Sequence, residues 1–247
     1  MKTLRLFAVL LTLLVVCNSC YMFKKSTSYY GIELDDNKVV FLVDISGSME
    51  NKIERDAKGQ IISSVTNKAV DAVSNQIGGA VGSMVGKTIK KQMTKLEKAK
   101  KKIIPVINGF TEESYFTIIP FENDIRLWRK ELVQATSANK KLAVVSVKAL
   151  DSGGGTNISD ALEEAFHLAG AGVTDPEKEL EVETVFLLSD GEPSAGRHTN
   201  PRDILEAVEN WNPLKRVTIH TIGLGDNHDR DFMRQLAEDN GGTYIDK

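Results

Sequence analysis

The chain has 247 residues, of which 41% are hydrophobic and 26% are charged, a composition close to that of an average globular protein. Its formal net charge of −3 is too small to favour nucleic acid or any other strongly charged partner. The length predicts one domain of ordinary size with an appendage.

The N-terminal residues have the layout of a secretory signal. A basic start is followed by an apolar core, 6–16, which is shorter than the roughly 20 apolar residues that a membrane-spanning helix needs. The core is followed by "CNSC", which resembles a bacterial lipoprotein signal with Cys20 as the lipidated residue. We therefore expect a signal peptide over 1–19 and a lipid anchor on Cys20. Ordinary secretion and an uncleaved anchor are the alternatives.

Cysteine usage is consistent with a lipid anchor. Cys17 and Cys20 are the two cysteines of the chain, so cleavage before Cys20 leaves a single cysteine that carries lipid. A disulfide framework, a thiolate zinc site and a cysteine nucleophile are then excluded. Residues 20–37 are expected to form a polar tether. The N-terminus thus predicts a protein of the bacterial cell envelope, at the membrane, in the periplasm or at the cell surface.

From residue 38 onward, short apolar runs alternate with amphipathic stretches. The apolar runs are continuous and rich in β-branched residues, as in strands that are buried on both faces. This alternation predicts an α/β fold over 38–247, in which a doubly wound, mostly parallel sheet has helices on both faces. The predicted strands are 38–44, 114–121, 184–189, 216–223 and a last edge strand at 243–246, and the predicted helices are 95–108, 138–150, 159–169, 201–210 and 229–240.

An insertion over residues 50–93 interrupts this alternation directly after the first strand. Apolar residues recur at helical spacing through 60–93, which predicts one long helix or two. Gly78, Gly82 and Gly86 lie four residues apart. Because each glycine costs a helix about 1 kcal/mol, this spacing suggests close helix packing on a second copy, a partner or a membrane surface. A flexible insertion with chance spacing is the alternative.

Lysines are concentrated at the end of the insertion and the start of the next helix. Glu97 is the one acidic residue among them. Such a run is typical of the solvated face of a helix. For a lipid-anchored protein, contact with anionic headgroups is the alternative, at roughly 1 kcal/mol per lysine near the surface. The lysines are Lys87, Lys90, Lys91, Lys95, Lys98, Lys100, Lys101 and Lys102.

Three short segments place oxygen-bearing side chains at one edge of the predicted sheet. "DISGS" contributes Asp44, Ser46 and Ser48 at the end of the first strand, "GGGTNISDAL" contributes Thr156 just before a helix, and "LLSDGEP" contributes Asp190 at the end of another strand. Ligand sites of open α/β sheets lie at this edge. Hard cations take oxygen ligands, so the set predicts a divalent cation site, with Mg²⁺ as the expected ion and Mn²⁺ or Ca²⁺ as alternatives.

The chemistry of this set favours binding over bond cleavage. Neutral hydroxyls cancel none of the charge of a cation. If Asp44 and Asp190 act partly through water, the ion stays electron-poor, and one coordination position remains open. An Asp or Glu carboxylate of a protein ligand could fill that position.

The three segments together resemble the metal-ion-dependent adhesion site of von Willebrand factor A domains, and the resemblance covers residues 37–247. It implies that Ser46, Ser48 and Thr156 contact the ion, directly or through water. It implies that Asp44 and Asp190 act mainly through hydrogen bonds and waters around the ion. The expected function is metal-dependent adhesion or scaffolding.

Two further residues are candidates for the rim of the ligand site. Glu50 follows the first motif, and it could fill the open coordination position itself, as could Glu54 or Asp56; otherwise these are solvated loop charges. His198 lies in the loop after Asp190, where a purely structural role is the alternative.

Two other functions stay open. A metal-assisted hydrolase would use Asp44 as nucleophile or the ion as Lewis acid. The sequence offers no convincing base beside the serines, so we expect no enzyme and no catalytic residue. Alternatively, residues 60–93 form a homo-oligomer or dock on an envelope complex, and the metal site only assists.

Overall fold

The computed structural model describes residues 27–34, 37–55, 61–65, 93–226 and 228–247, with side chains omitted for 52–55 and 61–65. The strands are β1 (Thr27–Tyr29), β2 (Ile32–Leu34), β3 (Lys38–Asp44), β4 (Lys52–Arg55), β5 (Ile61–Val65), β6 (Tyr115–Phe121), β7 (Val133–Gln134), β8 (Thr184–Ser189), β9 (Thr218–Gly223) and β10 (Tyr244–Asp246). The helices are α1 (Lys95–Gly109), α2 (Ser137–Lys148), α3 (Ile158–Ala169), α4 (Pro201–Trp211) and α5 (Arg230–Asp239).

A six-stranded sheet organises the domain, in the order β10-β9-β8-β3-β6-β7. Every neighbouring pair is parallel except β6 and β7. The predicted α/β fold with a mostly parallel sheet is therefore confirmed. The bounds of β3 and β8 agree with the predicted strands, because in both a continuous apolar run is bounded by polar residues.

The sheet separates two apolar layers. Val39 and Phe41 of β3 point into a layer that includes buried residues of α1 and α2. Val40 and Leu42 point into the opposite layer, which includes buried residues of α3, α4 and α5. Alternate side chains of β3 thus serve opposite cores, which explains its continuous apolar sequence.

Residues 27–34, which the sequence assigns to the tether, form the antiparallel hairpin β1–β2. Tyr30 and Gly31 both have positive φ angles, 53° and 93°, as in a two-residue type I′ turn. Tyr29 is 1% exposed, and its ring packs edge-on against Phe41 and Phe186, with ring centroids 5.4 and 5.3 Å apart. This aromatic anchor joins the hairpin to the core.

The start of the insertion also differs from its prediction. Residues 61–65 belong to the predicted helix over 60–93, but they form β5, which pairs antiparallel with β4. Ile61, Ile62 and Val65 are β-branched and favour a strand over a helix. The rest of that predicted helix, through residue 92, lies outside the described residues, as do the predicted signal peptide and Cys20. Within the described ranges, no helix is both long and apolar enough to cross a bilayer.

We predict that Tyr29→Ala lowers the free energy of unfolding by about 3 kcal/mol, because it removes a buried aromatic ring and leaves a cavity. Chemical denaturation measures the change. Tyr115→Ala is the matched control, since Tyr115 is 40% exposed, and its loss should be under about 1 kcal/mol. Equal losses in the two variants would contradict the anchoring role of Tyr29.

Candidate metal centre

Two neighbouring strands bring the predicted carboxylates together. Asp44 is the last residue of β3, and Asp190 directly follows β8. These strands are parallel neighbours, with Val43 opposite Leu188, so both chains leave the sheet at the same edge. Both carboxylate residues have an exposed fraction of 0%.

Each carboxylate oxygen accepts a hydrogen bond from the protein. Asp44 Oδ1 accepts from the Ser46 amide at 2.7 Å, and Asp44 Oδ2 accepts from the Ser189 hydroxyl at 2.5 Å. Asp190 Oδ1 accepts from the Ser48 hydroxyl at 2.7 Å, and Asp190 Oδ2 accepts from Lys95 Nζ at 2.5 Å. Four donors therefore orient the pair, and the arrangement suits carboxylates that act around an ion rather than as its direct ligands.

The two serine hydroxyls lie at a spacing that fits a small cation. Ser46 Oγ and Ser48 Oγ are 3.1 Å apart. Adjacent ligands of an octahedral Mg²⁺, each about 2.0–2.1 Å from the ion, are about 3.0 Å apart. The Ser48 proton points to Asp190, so lone pairs of that oxygen remain available to a cation.

Thr156 reaches the same place from the glycine-rich loop. A Cβ atom at Gly191 would lie 3.3 Å from Thr156 Oγ1 and 3.9 Å from Ser48 Oγ, so both hydroxyls flank that glycine. Asn157 caps α3 by accepting from the Asp160 amide, which fixes the end of the loop. Thr156 is 5% exposed.

Backbone hydrogen bonds join the three loops. The Gly47 amide donates to Gly154 O at 3.1 Å, and the Gly153 amide donates to Ile45 O at 2.8 Å. The Thr156 carbonyl accepts from the amides of Ser194 and Ala195 at 3.0 and 3.3 Å. The loops thus form one rigid edge.

The electrostatics of the pair also fit a cation. Burial and, second to it, the neighbouring charge of Asp190 raise the pKa of Asp44 to about 6, against hydrogen bonds from Ser189 and Ser46 that lower it. Two buried carboxylates that repel each other are stabilised by positive charge between or beside them. In the part of the chain that the structure describes, no three His, Cys, Asp or Glu side chains form a metal-ligand cluster. The candidate centre consists of two carboxylates and three hydroxyls.

Lys95 was missed as a site residue. The sequence assigns it to a lysine run on a solvated helix face, but it is 1% exposed and ion-paired with Asp190. Lys95 lies one helical turn before the buried Ala99 and two turns before the buried Ile103. This spacing places it on the apolar face, a signal that could have identified it.

The two rim candidates lie in different loops. Glu50 is exposed at the end of the 3₁₀ turn Gly47–Glu50, which carries Ser48. His198 is half-buried in the loop between β8 and α4. Their roles, and the metal-binding roles of the five central residues, remain predictions.

Comparison with known proteins agrees with the geometry. The family model of the von Willebrand factor type A domain matches residues 88–246. Inter-alpha-trypsin inhibitor heavy chain H3 of Homo sapiens is 30% identical over 151 residues, which are 60% of this chain and 16% of the relative. Heavy chain H4 of Homo sapiens is 31% identical over 151 residues, again 60% of this chain and 16% of the relative. The chain thus matches only a small part of these longer proteins.

Solved structures share the fold. A von Willebrand factor type A protein from Catenulispora acidiphila aligns with a TM-score of 0.58 and 17% identity, over 87% of this chain and 39% of that one. The conserved hypothetical protein BatB from Bacteroides thetaiotaomicron aligns with a TM-score of 0.52 and 13% identity, over 85% of this chain and 89% of that one. With its parallel sheet, its strand-end motifs and a family match over more than half its length, the chain belongs to the von Willebrand factor type A domain family.

Proposed function

We propose that this domain binds an acidic group of a protein ligand through a divalent cation, with Ser46, Ser48 and Thr156 as ligands of the ion. Domains of this family are in general protein-binding modules. The observation that supports metal dependence is the convergence of three hydroxyls and two buried carboxylates at one sheet edge. When bound, the ion would supply an electrophilic position for an Asp or Glu carboxylate, with Mg²⁺ as the expected ion and Mn²⁺ or Ca²⁺ as alternatives.

Binding is favoured over hydrolysis because three of the four histidines are engaged elsewhere. His220 Nδ1 accepts from the Thr243 amide, and its ring stacks on Phe186. His228 Nε2 shares a hydrogen bond of 2.7 Å with the Tyr244 hydroxyl. His167 lies on α3 beside Glu164, with its side chain 68% exposed. None of these imidazoles serves Ser46 or Ser48 as a base.

We further propose that the protein is anchored in a bacterial envelope through lipidated Cys20. The secretory layout of residues 1–20 supports this location. A structural neighbour with a TM-score of 0.50 and 14% identity, over 86% of this chain and 92% of that one, is described as an aerotolerance-related membrane protein from Bacteroides fragilis. Oligomer formation through 60–93 remains an alternative. Most of that segment lies outside the described residues.

We predict that saturating Mg²⁺ stabilises the wild-type domain relative to EDTA, by about 2.7 kcal/mol when the ion is at 100 times its Kd. The variant Ser46→Ala/Ser48→Ala should lose this gain, because it lacks two ligand oxygens. Ser137→Ala, an exposed serine at the start of α2, should keep it. Thermal unfolding with and without the ion measures the effect, and a full Mg²⁺ response in the double variant would contradict the proposed ligands.

We predict that a protein ligand captured from envelope extract is released by EDTA and by excess acetate. The ion bridges the domain to a carboxylate, so removing the ion or competing for its open position breaks the contact. Asp44→Ala should capture no ligand under the same conditions. Ligand that stays bound to the wild-type domain in EDTA would show that the contact does not depend on the ion.

We predict that Asp44→Asn stabilises the domain without metal and removes most of its stabilisation by metal. In EDTA at neutral pH, the variant should be more stable than wild type by about 1–3 kcal/mol, because the cost of burying the Asp44 charge and its repulsion with Asp190 are both gone. An Asn side chain can still accept from Ser46 and face Ser189. Adding Mg²⁺ should raise the stability of the variant only slightly above its value in EDTA, because the negative charge beside the ion is reduced.

Urea denaturation of wild type and variant, in EDTA and in Mg²⁺, measures both changes in the free energy of unfolding. Asp124→Asn, at an exposed position in the loop after β6, should change stability by less than about 0.5 kcal/mol in either buffer. A loss of stability for Asp44→Asn in EDTA would argue against repulsion between the two carboxylates.

A further inference from the structure

Lys95 places a buried positive charge in the candidate metal centre. Its Nζ atom lies 2.5 Å from Asp190 Oδ2, and the two side chains are 1% and 0% exposed. A buried ion pair gives little net stability compared with well-packed apolar residues, because both charges lose their hydration. An apolar residue in place of the lysine alone would leave Asp190 as a buried charge without a partner, so the ammonium group matters for the charge of the centre rather than for packing.

Two features of the backbone hold Lys95 in this position. Thr94 and Glu97 form a capping box that fixes the start of α1. The Lys95 amide donates to Asn51 O at 2.9 Å, which joins the helix start to the end of the 3₁₀ turn that carries Ser48. The ammonium is thus positioned relative to both Ser48 and Asp190.

Gly225 leaves room for the ammonium group. A Cβ atom at Gly225 would lie 3.1 Å from Lys95 Cε and 3.3 Å from Lys95 Nζ, closer than most Cβ contacts in proteins. The φ angle of Gly225 is +78°, which also favours glycine. The lysine therefore lies in a fitted space between this loop and Asp190.

We propose that Lys95 is an internal counter-charge of the metal centre, which keeps Asp190 from direct ligation and lowers the affinity of the centre for its cation. This inference rests on the proposed function. With Lys95, the two carboxylates leave a net charge of −1, and a divalent ion brings it to +1. Without Lys95 the loaded centre would be neutral. Lys95 thus leaves surplus positive charge for the carboxylate of a ligand.

The sign of the effect separates this role from a purely structural one. Lys95 and a bound cation would share Asp190 as a neighbour, and two positive charges repel strongly where water does not screen them. Removing the ammonium should therefore tighten cation binding. If Lys95 only held Asp190 in place, its removal would disorder the carboxylate and weaken cation binding.

The test is isothermal titration of metal-stripped protein with Mg²⁺ and with Mn²⁺. We expect Lys95→Met to bind each ion at least about tenfold more tightly than wild type, which corresponds to about 1.4 kcal/mol. Lys101→Met removes an exposed lysine from the same helix, and its affinity should equal that of wild type within about twofold. Unchanged or weaker binding by Lys95→Met would overturn the inference.

A second variant keeps the test valid if Lys95→Met does not fold. Lys95→Gln keeps a hydrogen-bond donor toward Asp190 and should also bind the cations more tightly than wild type. For both variants, the rise in Tm on adding cation should exceed that of wild type, and a smaller rise would overturn the inference. If wild type binds no cation but Lys95→Met does, the counter-charge role is supported. If no form binds a cation, both the proposed function and this inference fail.

Discussion

The structure of the candidate centre depends on the repulsion between two buried carboxylates. Asp44 and Asp190 end neighbouring parallel strands, so the sheet itself forces them together out of contact with water. Such a pair needs compensation from donors and positive charge. Hydrogen-bond donors from Ser46, Ser48 and Ser189 and the ammonium group of Lys95 supply this compensation.

The first described residue lies at the end of α1 that is distant from the proposed metal centre. Lys95 begins α1 at the metal centre, and Gly109 ends that helix at the opposite edge of the sheet, about 22 Å away. Thr27, the first described residue, donates to Gly109 O at 3.2 Å. The N-terminal chain therefore enters the domain at the far end of α1.

Elements buried on both faces were predicted well from the sequence, and elements that depend on a distant partner were not. β3 and β8 follow from unbroken apolar runs, because each residue contacts one of two cores. The hairpin β1–β2 lies in the predicted tether, and its short strands carry no clear signal in the sequence. Its burial depends on Phe41 and Phe186, which lie far along the chain. The pairing of β4 with β5 likewise depends on a partner strand.

The sequence predicted the α/β fold and the five oxygen-bearing residues of the proposed centre. Strand ends in a parallel sheet meet at one edge, and two of the three motifs follow such strands. The third motif, which carries Thr156, precedes a helix. Tertiary structure decided which protons and charges face the two carboxylates. Only the path of α1 across the sheet brings Lys95 to Asp190, 95 positions away in sequence. The packing around a lysine decides whether it is a solvated surface group or part of a site.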